Sequence, residues 1–233
     1  MSSSQNTIFP VRIGYSNAVL VLNGHNSILI DTGAKNNIHR FHDLFKNYEI
    51  QASDIKLIIL THTHLDHTGN LNELVQLTGA RVIVHKNEFE NLKKGFIPIP
   101  DGQGIYTRFI SCLGKLVRPA YMSPKPFAAD IINEDEMDLN KFGIKGKIIS
   151  TPGHTSGSQS VIIGKQLISG DTFINLPNGT IFPHFANDPK TLIKTWEKLF
   201  QLGVKEIFPG HGKKLNVEET FAEYEKWKKK LSE

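Results

Sequence analysis

The sequence predicts a chain of the α+β class, with short strands and covering helices around a shared core. Apolar runs such as residues 55–60, 147–150 and 166–169 are short and end in Gly, Pro or polar punctuation, as buried strands do. Stretches 36–48, 189–202 and 217–231 instead carry apolar residues at helical spacing. A chain of 233 residues, 39% hydrophobic and 21% charged, can bury a sizeable core as one domain spanning 1–233.

In order, residues 9–13, 18–22 and 27–30 read as strands, parted by the turn-rich segments 14–17 and 23–26; Asn23-Gly24 is a hairpin signal. Asp31-Thr32-Gly33 closes the third strand. Asp31 either takes the outer N–H of a ligating histidine or only organises the turn. Ile38, Phe41, Leu44 and Phe45 form a helical stripe, in which His39 and His42 read as surface residues.

The most informative stretch is Thr61-His62-Thr63-His64-Leu65-Asp66-His67-Thr68-Gly69, at the exit of the 55–60 strand. Such a loop can turn His62 and His64 toward one point and Asp66 and His67 toward another. Imidazole and carboxylate are the usual protein ligands of zinc, and a solvated polar turn rarely gathers four such donors. Three later strands end the same way: 147–150 leads to Pro152-Gly153-His154, 166–169 to Gly170-Asp171, and 204–208 to Pro209-Gly210-His211. Glycine lets the backbone turn sharply beside a bound ion.

His-x-His-x-Asp-His, then Pro-Gly-His, Gly-Asp and a second Pro-Gly-His, resembles the metallo-β-lactamase superfamily over residues 31–211. The resemblance implies a four-layer αβ/βα sandwich, two mixed β-sheets flanked by helices, with two metals at one edge. It implies that His62, His64 and His154 hold the first metal, that Asp66, His67 and His211 hold the second, and that Asp171 bridges them. The expected cofactors are two zinc ions, with iron as the alternative.

After the metal loop, Leu71, Leu74, Val75 and Leu77 suggest a helix, and residues 81–84 a strand ending at His85, which matches no family metal position and reads as structural. Residues 95–138 are the least regular part. Pro- and Gly-rich loops flank a helical pattern from Tyr106 to Val117, and in the family this region often forms a wall or lid. Phe96, Ile97, Tyr106, Tyr121 and Met122 are therefore candidates to touch substrate. Residues 138–142 and 144–150 read as strands around Gly143, and 160–163 with 166–169 as a hairpin. His184, in the loop after Asp171, is a further substrate-contact candidate, and the two Pro-Gly-His exits hint at two similar halves.

The net charge of +4 is modest, and the basic run 226–230 lacks the interleaved aromatics of a nucleic-acid surface, so nucleic acid is not an expected partner. The lone Cys112 excludes an intrachain disulfide. The polar start and the absence of a membrane-length apolar run lead to a cytoplasmic enzyme acting on a small molecule. The oligomeric state is left open, a homodimer being compatible.

The resemblance implies metal-dependent hydrolysis of an ester, thioester or lactone by a hydroxide between the metals, with Asp66 moving a proton. The ligand pattern is similar to glyoxalase-II-type thioesterases, but only about twenty residues follow His211, too few for their glutathione-binding helices. Quorum-sensing lactonases have a Tyr three residues after the bridging Asp, where this chain has Ile174. A class B β-lactamase-like amide hydrolase is a further alternative, disfavoured by Asp171. The alternative of different chemistry is a mononuclear iron persulfide dioxygenase using His62, His154 and Asp171.

Overall fold

The computed structural model describes residues 6–96, 102–103, 109, 111–113 and 125–232. Its strands form two six-stranded mixed sheets, each drawn from one half of the chain. The first runs in sequence order: β1 (Thr7–Ile13), β2 (Ser16–Leu22), β3 (Ser27–Ile30), β4 (Ile55–Ile59), β5 (Arg81–His85) and β6 (Ile131–Asn133). Tight turns make β1–β2–β3 antiparallel, whereas the longer connections return β4, β5 and β6 parallel to β3. The second sheet is ordered β12-β11-β10-β9-β8-β7. It comprises β7 (Glu136–Asp138), β8 (Lys147–Ser150), β9 (Gln159–Ile163), β10 (Gln166–Gly170), β11 (Glu206–Pro209) and β12 (Leu215–Asn216). There β10 and β11 are parallel and the other pairs antiparallel.

Alternation along the strands sets the layers. Val19, Val21, Ile28, Ile30, Leu57 and Ile59 of the first sheet pack in one buried cluster with Ile148, Val161, Ile168 and Phe208 of the second. The intervening residues, Leu20, Leu29 and Ile58 among them, face α1 (Ile38–Asn47) and α3 (Leu71–Thr78), through Phe41, Leu44, Leu71 and Leu74. The short α2 (Leu65–Thr68) and α4 (Lys86–Lys94) complete that side. On the other flank α5 (Pro189–Gln201) and α6 (Phe221–Ser232) cover the second sheet with Leu192, Trp196, Leu199 and Tyr224. This is the expected four-layer sandwich. Among the described residues no helix is long and apolar enough to cross a membrane.

Two local expectations change. Residues 138–142 are not a strand: β7 stops at Asp138, whose carboxylate accepts from the Asn140 N–H at 2.7 Å and from Asn140 Nδ2 at 3.1 Å. That local bond starts a 3₁₀ turn over Asn140–Phe142, ended by Gly143 at φ +81°. At the close of the irregular 95–138 stretch, β6 and β7 join one sheet each. Phe109 and residues 111–113 are helical, as the pattern from Tyr106 to Val117 anticipates; the rest of that pattern lies outside the described residues.

Candidate metal centre

The parallel pairs explain why the donors meet. β3 and β4 end side by side, so Asp31 and the 61–69 loop leave from one edge, and β10 with β11 deliver Asp171 and His211 together. His154 follows β8 on the turn that runs into β9. The sheets are tied at this edge by main-chain bonds: Gln159 N–H to Thr61 O at 2.8 Å and Asn17 N–H to Gly210 O at 2.7 Å. Gln159, fully buried, also donates through Nε2 to Leu60 O at 2.7 Å.

Two groups of donors result. His62, His64, His154 and Asp171 offer atoms all within 4.8 Å of one another, and so do Asp66, His67 and His211. His154 Nε2 lies 3.2 Å from His62 Nε2 and 3.0 Å from His64 Nδ1. Asp171 faces both groups. Its Oδ2 is 3.6 Å from His154 Nε2 and 3.3 Å from His211 Nε2, and its Oδ1 is 3.3 Å from His67 Nε2. Asp66 Oδ2 is 3.2 Å from His211 Nε2 and 3.8 Å from His67 Nε2.

The outer ring nitrogens are committed, which aims the inner ones. His67 Nδ1 donates to Asp31 Oδ2 at 2.8 Å, His154 Nδ1 to Phe185 O at 2.8 Å, and His211 Nδ1 to Tyr15 O at 2.9 Å. Thr61 Oγ1 gives its proton to Asp31 Oδ2 at 2.7 Å, so at 3.1 Å it accepts from His62 Nδ1. Four rings thereby turn Nε2 inward in the form a metal requires. Asp31 also accepts the Thr61 N–H at 2.7 Å and takes the left-handed conformation, φ +59°, to do so. It therefore supports the donors from behind as well as shaping the turn.

Electrostatics separate the two groups. Burial pushes His62 well below its usual range, His64 down to about 3 and His154 downward, aided by neighbouring histidines in the case of His62 and His64. These rings are neutral at pH 7. Burial acts the same way on His67 and His211, but Asp171 with Asp31 and Asp66 outweighs it at His67, and Asp171 with Asp66 at His211. His67 stands well above its usual range and His211 rises to about 10. Burial would raise the carboxylates, yet the facing imidazoliums hold Asp66 at about 2 and Asp171 well below its ordinary value. A bound cation, which takes neutral imidazole and ionised carboxylate, would reinforce the shifts at Asp66 and Asp171 and reverse those at His67 and His211.

The fit to metal rests on this chain's own atoms. His67 Nε2 and Asp171 Oδ1 are buried 3.3 Å apart, yet neither makes a well-directed hydrogen bond among the described residues, and a cation coordinated by both would satisfy them. Imidazole with carboxylate is a donor set compatible with zinc or iron. Gly210 leaves the carboxylate its space, since a Cβ there would lie 2.1 Å from Asp171 Oδ1.

Among the described residues, no other sequence candidate joins either donor group. His85 lies outside both groups and caps α4, its Nδ1 accepting from Asn87 N–H at 3.2 Å. His39 and His42 are exposed on α1. His184 is exposed, and its carbonyl accepts the Gln103 N–H at 2.8 Å; Phe96 is 44% exposed after α4. Tyr121, Ile97, Tyr106 and Met122 lie outside the described residues. Sequence reasoning missed Glu88, buried in α4, which accepts from the Thr63 hydroxyl between His62 and His64. Gly157 makes room for it: a Cβ there would come within 2.6 Å of Glu88 Cγ.

A family model described as the metallo-beta-lactamase superfamily matches residues 11–211. A probable metallo-hydrolase of Methanocaldococcus jannaschii is 30% identical over 208 residues, covering 85% of this chain and 89% of its own. A hydroxyacylglutathione hydrolase of Shewanella pealeana is 27% identical over 158 residues, covering 67% of this chain and only 46% of that enzyme. The protein TTHA1623, solved in a di-iron-bound form, shares the fold at a TM-score of 0.66 and 26% identity, over 91% of this chain and 96% of its own. With the matched span taking in every donor of both groups, the chain belongs to the metallo-beta-lactamase superfamily.

Proposed function

We propose that the chain uses two zinc ions to cleave an ester, thioester or lactone of a small molecule. Its superfamily and its hydrolase relatives make it a metal-dependent hydrolase. The observation that carries the dinuclear reading is Asp171, whose two oxygens face His154 and His211 on one side and His67 on the other. When bound, the ions would polarise the scissile carbonyl and acidify the attacking water. His62, His64 and His154 would hold one ion and Asp66, His67 and His211 the other, with Asp171 shared.

In this reading Asp66 moves the proton. It is partly exposed, and the hydroxyl of Ser16 donates to its main-chain carbonyl, which fixes its position beside His211. No serine or cysteine nucleophile is invoked. A mononuclear iron dioxygenase using His62, His154 and Asp171 would leave His67, buried among Asp66, Asp171 and Asp31, without a role. Retention of all seven donors favours two ions. The lone Cys112 fits a reducing cytoplasm, which we adopt as the compartment.

The test is metal content per chain after purification without added metal, followed by assays on simple esters, thioesters and lactones. About two zinc per chain with esterase activity supports the reading. About one iron, with oxygen uptake on a persulfide and no esterase activity, overturns it.

A further inference from the structure

A cleft of about 960 Å³ has one of the seven donors, His211, in its wall. Its walls are apolar at Pro10, Pro177, Phe208 and Pro209, and none of its lining residues is acidic. Arg12, Lys213 and Lys214 supply cations to it. Lys214 is paired with Glu206, whereas Arg12 and Lys213 make no ion pair among the described residues. Arg12 Nε donates to the Gly14 carbonyl at 3.1 Å, which fixes one edge of its guanidinium.

The segment that carries Lys213 is braced from both sides. Asn17 Nδ2 donates to Pro209 O at 2.9 Å and to Gly212 O at 2.8 Å. Asn175 donates its N–H to His211 O at 2.8 Å and its Nδ2 to Lys213 O at 3.1 Å. Gly212, at φ +86°, passes so close to Asn175 that a Cβ would meet Asn175 O at 1.7 Å. The root of the Lys213 side chain is therefore held at a fixed offset from His211, so little ordering is required on binding.

We infer that this cleft binds an anionic group, carboxylate or phosphate, carried by the part of the substrate lying on the Asp66–His67–His211 side. The apolar walls would take the carbon skeleton linking that anion to the scissile bond, while Arg12 and Lys213 close on its charge. A planar carboxylate or a phosphate oxygen pair matches the guanidinium fork. The inference rests on the hydrolase reading for which end of the substrate reacts, but not for the binding of the anion.

The experiment compares aryl acetates with and without an anionic substituent at the same ring position: 3-acetoxybenzoate, its neutral methyl ester, and 3-(phosphonomethyl)phenyl acetate, with release of the phenol from the acetate as the readout. The full chain is zinc-loaded, and each kcat/KM is divided by the uncatalysed rate. The anionic esters should be preferred over the neutral one, and Arg12→Gln and Lys213→Gln should each cut that preference about fivefold, the effect of an exposed charge contact. Taking the ratio cancels any loss common to all esters. Whichever of the carboxylate and the phosphonate shows the larger preference identifies the anion.

Binding is read separately by titrating ¹⁵N-labelled protein with 3-methoxybenzoate and 3-methoxybenzamide. Tighter binding of the carboxylate by the wild type but not by the Arg12→Gln/Lys213→Gln variant upholds the inference, even if no ester is cleaved and the hydrolase reading falls. Equal binding of the two probes by the wild type, or an anion preference that survives the double substitution, overturns it.

Discussion

Replacing Gly210 by alanine adds one methyl group where Asp171 stands between the two donor groups. The new Cβ would lie 2.1 Å from Asp171 Oδ1, 2.9 Å from the Gly170 carbonyl carbon and 2.9 Å from His67 Cε1. Gly210 is not among the positive-φ glycines, so alanine tolerates its backbone and the effect is steric. An ordinary contact needs roughly 3.5 Å, so the carboxylate must retreat by more than about 1 Å. A misplacement of about 1 Å can cost ~100-fold in rate, and overpacking of this kind destabilises by about 1–3 kcal/mol. The assay is zinc content after loading and gel filtration, with phenyl acetate hydrolysis and the thermal midpoint measured on the same sample. Gly210→Ala should lose zinc and about 100-fold in kcat/KM while remaining folded. Gly164→Ala is the control: its Cβ meets nothing within 4 Å, and only its φ of +61° is strained, so stability falls slightly and zinc is kept. Wild-type zinc content and rate in Gly210→Ala would refute the reasoning that Asp171 joins the two groups.

Three further outcomes are expected. Asp31→Asn tolerates the φ of +59° but removes the charge behind His67, so metal affinity by chelator competition should fall about 10–100-fold with the fold intact. Trp196→Phe strips the donor that meets Thr172 O at 2.8 Å beside Asp171, and should lower stability to denaturant by about 1–3 kcal/mol. Asp188 caps α5 by accepting the Thr191 N–H at 2.9 Å, and the Thr191 N–H and hydroxyl hold its carboxyl below the usual value of 3.8. A depressed folded pKa stabilises above the unfolded value and ceases to as pH falls through the folded one. Asp188→Ala should therefore cost about 1 kcal/mol at pH 7, and the gap to the wild type should shrink below about pH 4.

The donors were legible because each has a distinctive chemistry and arrives on a distinctive backbone. His154 and His211 follow Pro-Gly at strand exits, and Asp171 follows Gly170, whose φ is +51° and whose Cβ would strike Thr61 Oγ1 at 2.3 Å. The apolar runs of β2, β3 and β4 likewise read as strands, but which side of each faces the second sheet and which faces α1 and α3 emerges only in the fold. What the sequence concealed depends on contacts across the fold. Gln159 and Asn17 look like ordinary polar residues, yet they join the sheets at the metal edge. Glu88 lies on α4, a helix whose apolar pattern is weak, and only its burial beneath Thr63 singles it out. Asp138 extended an apparent strand because an Asx bond to Asn140 carries no hydrophobic signature.

The division of the sheets between the two halves of the chain bears on how the protein is made. His64 and His154 stand 90 residues apart, and their rings meet only after the second sheet has closed on the first. A nascent chain carries His62, His64, Asp66 and His67 well before Asp171 and His211 exist, so it can grip a metal only weakly. The finished centre works as a clasp: an ion spanning it closes a long loop, and removing the ion returns that freedom to the unfolded chain. A metal bound across both halves would therefore stabilise the fold by mass action, and a fall in the thermal midpoint on chelation is the expected sign of it.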